Sequence, residues 1–492
     1  MPPILALDQG TTGSTAIVFE QDGTILGRGY REIPQHYPAP GWVEHDAEDL
    51  FALSVQAMQE ALATAAVVPE ALGLTNQRET VLLWDRATRN PVSPAIVWQD
   101  RRTADRCREL AASPTIARML RERTGLLPDP YFSATKLEWL LRDPGLRRRA
   151  ERGELCAGTV DSWLIAKLTG GRDFITDHTN ASRTMLYDHV GGVWHDELLE
   201  LFGVPRSLLP RIVPSTGACA RLDARHLGHA LPITGLAGDQ QAALFGAGGV
   251  RAGFAKTTYG TGIFALVYQG DRRPGAADGV LVTAAVSATG GRAYATEGSV
   301  LVGGAAIQWL RDGLGLIEHA HESEALARSV DDTGGVVVVP AFAGLGTPHW
   351  DAEARGTIVG LTRGTTRAHL ARATLESMAY SVGDLLQAMR DGAPVEVLRA
   401  DGGAAENDWL MQFQADVLGV PVERPAMVEA TAWGAACLAG VGAGLWPPPD
   451  AEHAPYAITR FEPRMDVRLR VRKVQEWKRA IAATLAWAAA RG

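Results

Sequence analysis

The chain has few cysteines, and they form no pattern. Cys107, Cys156, Cys219 and Cys437 lie far apart, with no C-x-x-C among them. That excludes a disulfide framework and a zinc site, and it suits a reducing compartment. Long apolar runs are also missing: no stretch approaches the ~18–20 residues that cross a bilayer. No basic segment with an apolar core precedes the first strand, so the expectation is a cytoplasmic protein without an integral membrane segment. Asn180-Ala-Ser182 spells a glycosylation acceptor, a chance match in that setting. Lysine is scarce, and almost every cation is arginine, a compositional bias. The formal net charge is −8 with both signs spread along the chain, so no nucleic-acid partner is expected. Several catalytic signatures are absent: G-x-x-x-x-G-K-[ST], the protein-kinase motif set, H-E-x-x-H and G-x-S-x-G. GAGGVRAG at 246–253 has no buried strand before it and no ribose-reading acid after it, which argues against a dinucleotide loop.

The 492 residues, 46% of them hydrophobic, suffice for two or three domains. Leu5–Leu7 and Thr15–Phe19 read as strands flanking a turn of Asp8, Gly10, Thr11, Thr12, Gly13 and Ser14. Such a turn is either an ordinary hairpin or a phosphate cradle, because small residues leave backbone N–H groups and hydroxyls open to a ligand. Asp46 is placed to cap a helix running through Ala66, with Asp49 three residues on. Strands are expected over 71–74, 80–85 and 94–98, followed by a mainly helical 101–150. The alternation argues for an α/β core. After the glycine-rich joint, residues 255–270 repeat the strand, Gly/Thr turn, strand pattern of the opening. This weak internal repeat divides the chain into 1–248 and 249–492. Further on, the pattern predicts a buried strand over 334–342, a helix over 369–390, a strand–DGG–helix unit over 395–419 and a helical tail over 468–489.

Three Gly/Thr turns, Gly10–Ser14, Gly260–Gly262 and Gly402–Ala404, could therefore meet over a polyphosphate. Blocks such as DQGTTGS, TNQRET, VWQDRRT, YFSATKLEWLL, GLAGDQQAALFG, TTYGTGIF, GGAAIQWLRD and DGGAAENDWLMQFQADVLG run in order through essentially the whole chain. With them the sequence resembles the FGGY carbohydrate kinase family. The resemblance implies two ribonuclease-H-like α/β domains of the actin/hexokinase ATPase type closing over a cleft. It implies ATP-dependent phosphorylation of glycerol to sn-glycerol 3-phosphate; another polyol or sugar such as xylulose is the alternative. The first half would hold glycerol and the base, and the second the nucleotide.

The same resemblance assigns residues. Arg78 and Glu79 would supply a donor and an acceptor for the polyol; seen alone they read as a solvated pair. Neighbours on a strand point to opposite faces, so both reach one ligand only from a strand end or loop. Tyr131 and Gln240 would add polar contacts, with Trp98 and Phe264 as apolar walls. Asp239 would be the catalytic base, although alone it reads equally as a helix N-cap. Asp8, with Asp239 beside it, would hold Mg2+. Thr11, Thr12 and Gly13 would contact the transferred phosphoryl, and Thr261, Gly304, Gln308, Gly403 and Asn407 the nucleotide. Thr15 stands where relatives often carry an arginine, so that phosphate contact is not carried over. Gly228, His229 and Ala230 lack the arginine of a fructose 1,6-bisphosphate site, so that inhibition is expected to be weak or absent. A homodimer or homotetramer is compatible with the family.

Overall fold

The fold is taken from a computed structural model. It describes residues 2–275, 279–288, 290–351, 353–389, 394–427, 429–452 and 454–490. Two mixed sheets carry it. Across the first, the strands run in the order Ile25–Glu32, Gly13–Phe19, Ile4–Gln9, Ala71–Asn76, Pro232–Gly238, Thr216–Arg221. The first three are antiparallel neighbours, and Ile4–Gln9, Ala71–Asn76 and Pro232–Gly238 are parallel. Across the second, Leu281–Ala285, Ala293–Val300, Ile263–Gly270 and Ala255–Tyr259 are antiparallel. Leu398–Asp401 and Val422–Pro425 then follow in parallel, with Ile458–Phe461 at the edge. An antiparallel hairpin that leads into parallel strands thus occurs twice, as the repeated strand–turn–strand pattern suggested.

Strands buried on both faces read as continuous apolar runs, and ILAL in Ile4–Gln9 is such a run. Helix Ala47–Ala65 is capped by Asp46, whose carboxylate accepts from the Glu48 and Asp49 N–H groups at 2.7 and 3.2 Å. The region after 101 forms four helices, Ala104–Ala112, Pro114–Thr124, Ser133–Leu140 and Pro144–Glu151. Two expected strands come out shorter. Of 94–98, only Ala95–Ile96 pairs; beyond it the Trp98 backbone N–H donates to Thr80 Oγ1 and its indole turns toward the first hairpin. Of 334–342, only Val337–Val339 pairs, in a separate two-stranded sheet with Thr357–Val359. Val338 fills a small side core with Ala373, while Val339 and Val337 face the main core of the second half. Helix Arg367–Ala388 matches the expected long helix, whose last expected position, Arg390, lies outside the described residues.

Helix Ala430–Gly442 belongs to the second half of the chain but packs on the first sheet. The approach is backbone to backbone. A Cβ at Gly73 would stand 2.0 Å from the Ala435 carbonyl oxygen, and one at Gly246 would stand 2.6 Å from Gly434 Cα. Thr234 Oγ1 donates to the Ala439 carbonyl at 2.8 Å. The two halves are thus interleaved.

His189 is sealed in the seam between Tyr187 and Tyr294, whose hydroxyl donates to the His189 carbonyl at 3.1 Å. Burial, then the charge of Arg273, pushes its imidazole down to about 3. The unfolded ring takes a proton below about 6.5 and the folded one does not. Stability from this ring is therefore full above pH 6.5 and lost as pH falls toward 3, about 2 kcal/mol of it by pH 5. Thermal melts at pH 7 and pH 5 should show a smaller acid-induced drop for His189→Phe than for the wild type. An equal drop would refute the assignment.

Candidate active site

The three parallel strands of the first sheet deliver the reactive groups at their carboxyl ends, where open α/β sheets bind ligands. Asp8, Thr75 and Ala237 stand opposite one another in the register, as do Gln9, Asn76 and Gly238. One step further, the middle strand runs into the loop holding Arg78 and Glu79, and the third runs into Asp239. Arg78 and Glu79 therefore do stand beyond a strand end. Glu79 adopts φ +61°, a conformation that costs a non-glycine residue energy and is concentrated at functional sites. Gly238 occupies the N-cap of helix Asp239–Gly246 and Asp239 is its first residue, so the N-cap alternative for Asp239 falls away. Its carboxylate accepts from Gln240 N–H at 2.7 Å and lies 3.2 Å from Arg78 Nε.

Around these groups lies a buried charge cluster. Arg78 grips Glu297 with both terminal nitrogens, at 2.6 and 2.9 Å, and donates to Gln241 Oε1 at 3.2 Å. Its Nε is 3.9 Å from Glu79 Oε1. Arg183 binds Glu79 through Nε at 2.5 Å and Glu297 through Nη2 at 3.0 Å. Burial raises the carboxyls of Glu79 and Asp239, opposed by Arg183 and Arg78 at Glu79 and by Arg78 at Asp239. For Glu297 burial pushes upward too, but Arg183 and Arg78 outweigh it and hold it low. Asp239 keeps 28% of its side chain exposed. The Gln240 Oε1 atom is buried and has no hydrogen-bond partner among the described residues, an acceptor left open.

Trp98 and Tyr131 meet edge to face at 5.5 Å, and the Arg183 guanidinium lies 5.4 Å from the Tyr131 ring. Trp98 also donates its indole N–H to Thr11 Oγ1 at 2.9 Å. Thr11 thereby keeps its own hydroxyl proton free to donate to an anion. Thr12 is exposed at the same turn, where Gly10 N–H donates to the Gly13 carbonyl at 2.9 Å. Gly13 has a different reason to be glycine: a Cβ there would meet the Tyr30 ring at 2.5 Å. Phe264 stands two residues from Leu266, the partner of Glu297, and so shares the sheet face of Glu297.

In the second half, Thr261, Gly304, Gln308, Gly403 and Asn407 all line one cleft of 720 Å³. Gly260 N–H donates to the Gly262 carbonyl at 3.0 Å, repeating the first turn, and Gly304 N–H returns to the Gly260 carbonyl at 2.8 Å. Gly402, at φ +91°, lets the third turn press on the Tyr259 backbone. Beside it Gly403 faces open space. Asn407 caps helix Asp408–Leu418 with its side-chain oxygen on Leu410 N–H at 2.9 Å, which leaves its NH₂ free. A π-helical turn, Trp309–Gly313, follows Gln308, an irregularity often found at functional sites.

Sequence reasoning missed Glu297, Gln241, Arg183 and Lys256, and also Arg311, His319 and His321 on the cleft wall. Lys256 pairs with Asp401 at 2.8 Å, just before Gly402, and its charge reaches Asp239.

Comparison with known proteins agrees with this geometry. The FGGY family of carbohydrate kinases matches through its N-terminal domain at residues 3–246 and its C-terminal domain at 255–443. A glycerol kinase of Deinococcus radiodurans is 52% identical over 98% of both chains, and one of Alkalilimnicola ehrlichii is 54% identical over 99% of both. The crystal structure of Plasmodium falciparum glycerol kinase with ADP superposes at a TM-score of 0.94, with 32% identity, covering 99% of this chain and 98% of that one. A xylulose kinase of Lactobacillus acidophilus, at 20% identity and a TM-score of 0.88 over 99% of each chain, shares the fold. A mixed α/β sheet in each half and a Gly/Thr turn opening each accompany these matches over nearly the whole chain; the chain belongs to the FGGY family of carbohydrate kinases.

Proposed function

We propose that this chain transfers the γ-phosphoryl of ATP to a terminal hydroxyl of glycerol, releasing ADP and sn-glycerol 3-phosphate. The observation that carries the reading is the convergence of Arg78, Glu79, Asp239 and the unpaired Gln240 oxygen at the carboxyl ends of three parallel strands. A small molecule made of hydroxyls needs such a set of donors and acceptors. The glycerol kinases of other organisms described above support the same substrate.

Asp239 takes the proton of the attacking hydroxyl as its oxygen bonds to the γ-phosphorus and the bond to the ADP oxygen breaks. Burial makes that carboxylate a stronger base, and the charge of Arg78 opposes the shift. The Thr11 hydroxyl and the backbone of the first turn receive the transferred phosphoryl, Thr261 holds phosphates from the second lobe, and Gly403 leaves room for the nucleotide. We read 1–248 and 249–492 as the two lobes. Asp8 fits Mg2+: its carboxyl makes no hydrogen bond or ion pair among the described residues. Burial, then the charges of Asp239 and Glu429, pushes it up to about 8, and a bound cation would supply the counter-charge. Among the described residues no three ligating side chains form a closed metal cage, which suits an ion that completes its shell from phosphate and water. When bound, Mg2+ would neutralise charge on the phosphate oxygens.

Coupled ATP turnover with glycerol, xylulose, gluconate, dihydroxyacetone and no substrate tests the reading. At least a hundredfold preference in kcat/KM for glycerol is expected. Turnover of another polyol in its place would leave the family and overturn the substrate.

A further inference from the structure

We infer that Glu297, carried by the second sheet, is a positioning residue for the polyol site of the first. It holds the Arg78 fork so that the Asp239 carboxylate and the Glu79 oxygen not bound by Arg183 stay available to substrate, and it makes polyol capture depend on how the lobes are seated. The inference rests on the polyol-phosphorylating reading given above.

Glu297 lies in strand Ala293–Val300 and is 2% exposed. It stands opposite Leu266, which in turn stands opposite Lys256, so it projects from the same sheet face as Lys256. The neighbouring position, Gly298, points the other way, where a Cβ would lie 2.4 Å from Leu385 of helix Arg367–Ala388. One face of the strand thus closes the core of its own lobe, and the other places a carboxylate in the seam.

The geometry of that carboxylate is specific. Its two oxygens take both terminal nitrogens of Arg78, and Oε1 also takes Arg183 Nη2. A guanidinium fork engaged with one carboxylate in this way is fixed in plane and direction. Arg78 is left with only a side-on approach to Asp239 at 3.2 Å and a 3.9 Å approach to Glu79. Without Glu297 the fork would lose its partner inside the protein. Gln241 Oε1 would remain on one terminal nitrogen, and the nearest remaining carboxylates are Asp239 and Glu79, the groups that must receive the polyol protons and hydroxyls. Arg78 would close onto them. Glu297 therefore acts through the arginines rather than on substrate.

Stability alone is a weak account of the arrangement. Burying two arginines and three carboxylates costs desolvation that their attraction scarcely repays, and apolar packing of equal volume is often as stable. What the ion cluster supplies is a fixed direction for each group, delivered from the opposite lobe. Gln241 and Thr283 span the same seam at 3.0 Å.

The test is steady-state kinetics of Glu297→Gln and Glu297→Asp beside the wild type, with thermal melts of each. For Glu297→Gln the glycerol KM should rise at least tenfold and kcat/KM for glycerol should fall about a hundredfold, the scale of a lost charged hydrogen bond. The ATP KM should stay within twofold. Glu297→Asp, which keeps the charge but shortens the reach, should recover most of the loss and still show at least a threefold higher glycerol KM. An even loss across glycerol KM, ATP KM and kcat with a lowered Tm would mean a merely structural role and overturn the inference. So would an unchanged glycerol KM. If Glu297→Gln does not fold, Glu297→Asp decides alone: a raised glycerol KM at constant ATP KM supports the inference, and anything else overturns it. Should the wild type phosphorylate a different polyol, the substrate proposal falls and the same comparison is made on that polyol.

Discussion

Asp239→Asn will lower kcat by about 10³-fold, within the 10²–10⁴ range typical of a lost general base, while the ATP KM moves little. The amide keeps the size of the carboxylate and can still meet Gln240 N–H through its oxygen. It cannot take a proton. It also faces Arg78 with no negative charge, so Arg78 is left to Glu297 and Gln241, which already hold three of its contacts. The fold should therefore persist, with Tm within a few degrees of the wild type. Rapid-mixing measurement of ADP formation in a single turnover checks that chemistry, rather than product release, has slowed. Retention of more than a tenth of the wild-type kcat would remove Asp239 from the role of base.

Gly402→Ala and Gly403→Ala will fail for different reasons, although the residues are adjacent. Gly402 has φ +91°, and a Cβ there would stand 2.6 Å from the Tyr259 carbonyl oxygen and 2.8 Å from its backbone nitrogen. Neither the backbone angle nor the neighbouring backbone yields cheaply, so Gly402→Ala should cost about 2–4 kcal/mol of stability and lower Tm by several degrees. Gly403 has no such neighbour: nothing lies within 4 Å of its would-be Cβ, and the residue lines the cleft proposed for the nucleotide. Gly403→Ala should leave Tm unchanged and raise the ATP KM at least tenfold with the glycerol KM in place. Melting curves and the two KM values separate the cases. A Gly403→Ala enzyme with wild-type ATP KM would mean that the nucleotide lies elsewhere.

Much of the fold could be read from local signals. The apolar run ILAL, the small-residue turn at Gly10–Ser14 and its repeat at Gly260–Gly262 announced two like hairpins, and Asp46 announced its helix. Val337–Val339 shows the limit of such reading, because a valine run fits a sheet centre and a side hairpin equally well. The site divides in the same way. Arg78, Glu79 and Asp239 stand next to strand ends that hydrophobicity marks, and the family resemblance singled them out. Glu297 sits in a strand buried from Ala293 through Gly298, whose mixed sequence marks neither face as buried. Its burial exists only because two arginines, from positions 78 and 183, arrive from the other lobe. No spacing in the chain encodes that encounter. Nor could composition reveal that the Trp98 indole, expected as an apolar wall, would orient the Thr11 hydroxyl through a hydrogen bond.

Helix Ala430–Gly442, made late in the chain, closes the core of a sheet made early. On a ribosome adding about 5–20 residues per second, Pro232–Gly238 emerges roughly 10–40 s before that helix is complete. Throughout that interval the face of the sheet that carries Gly73 and Gly235 lacks its cover. A nascent chain paused between the lobes should therefore be sticky and dependent on chaperones. A gene cut between them would not yield two separable proteins.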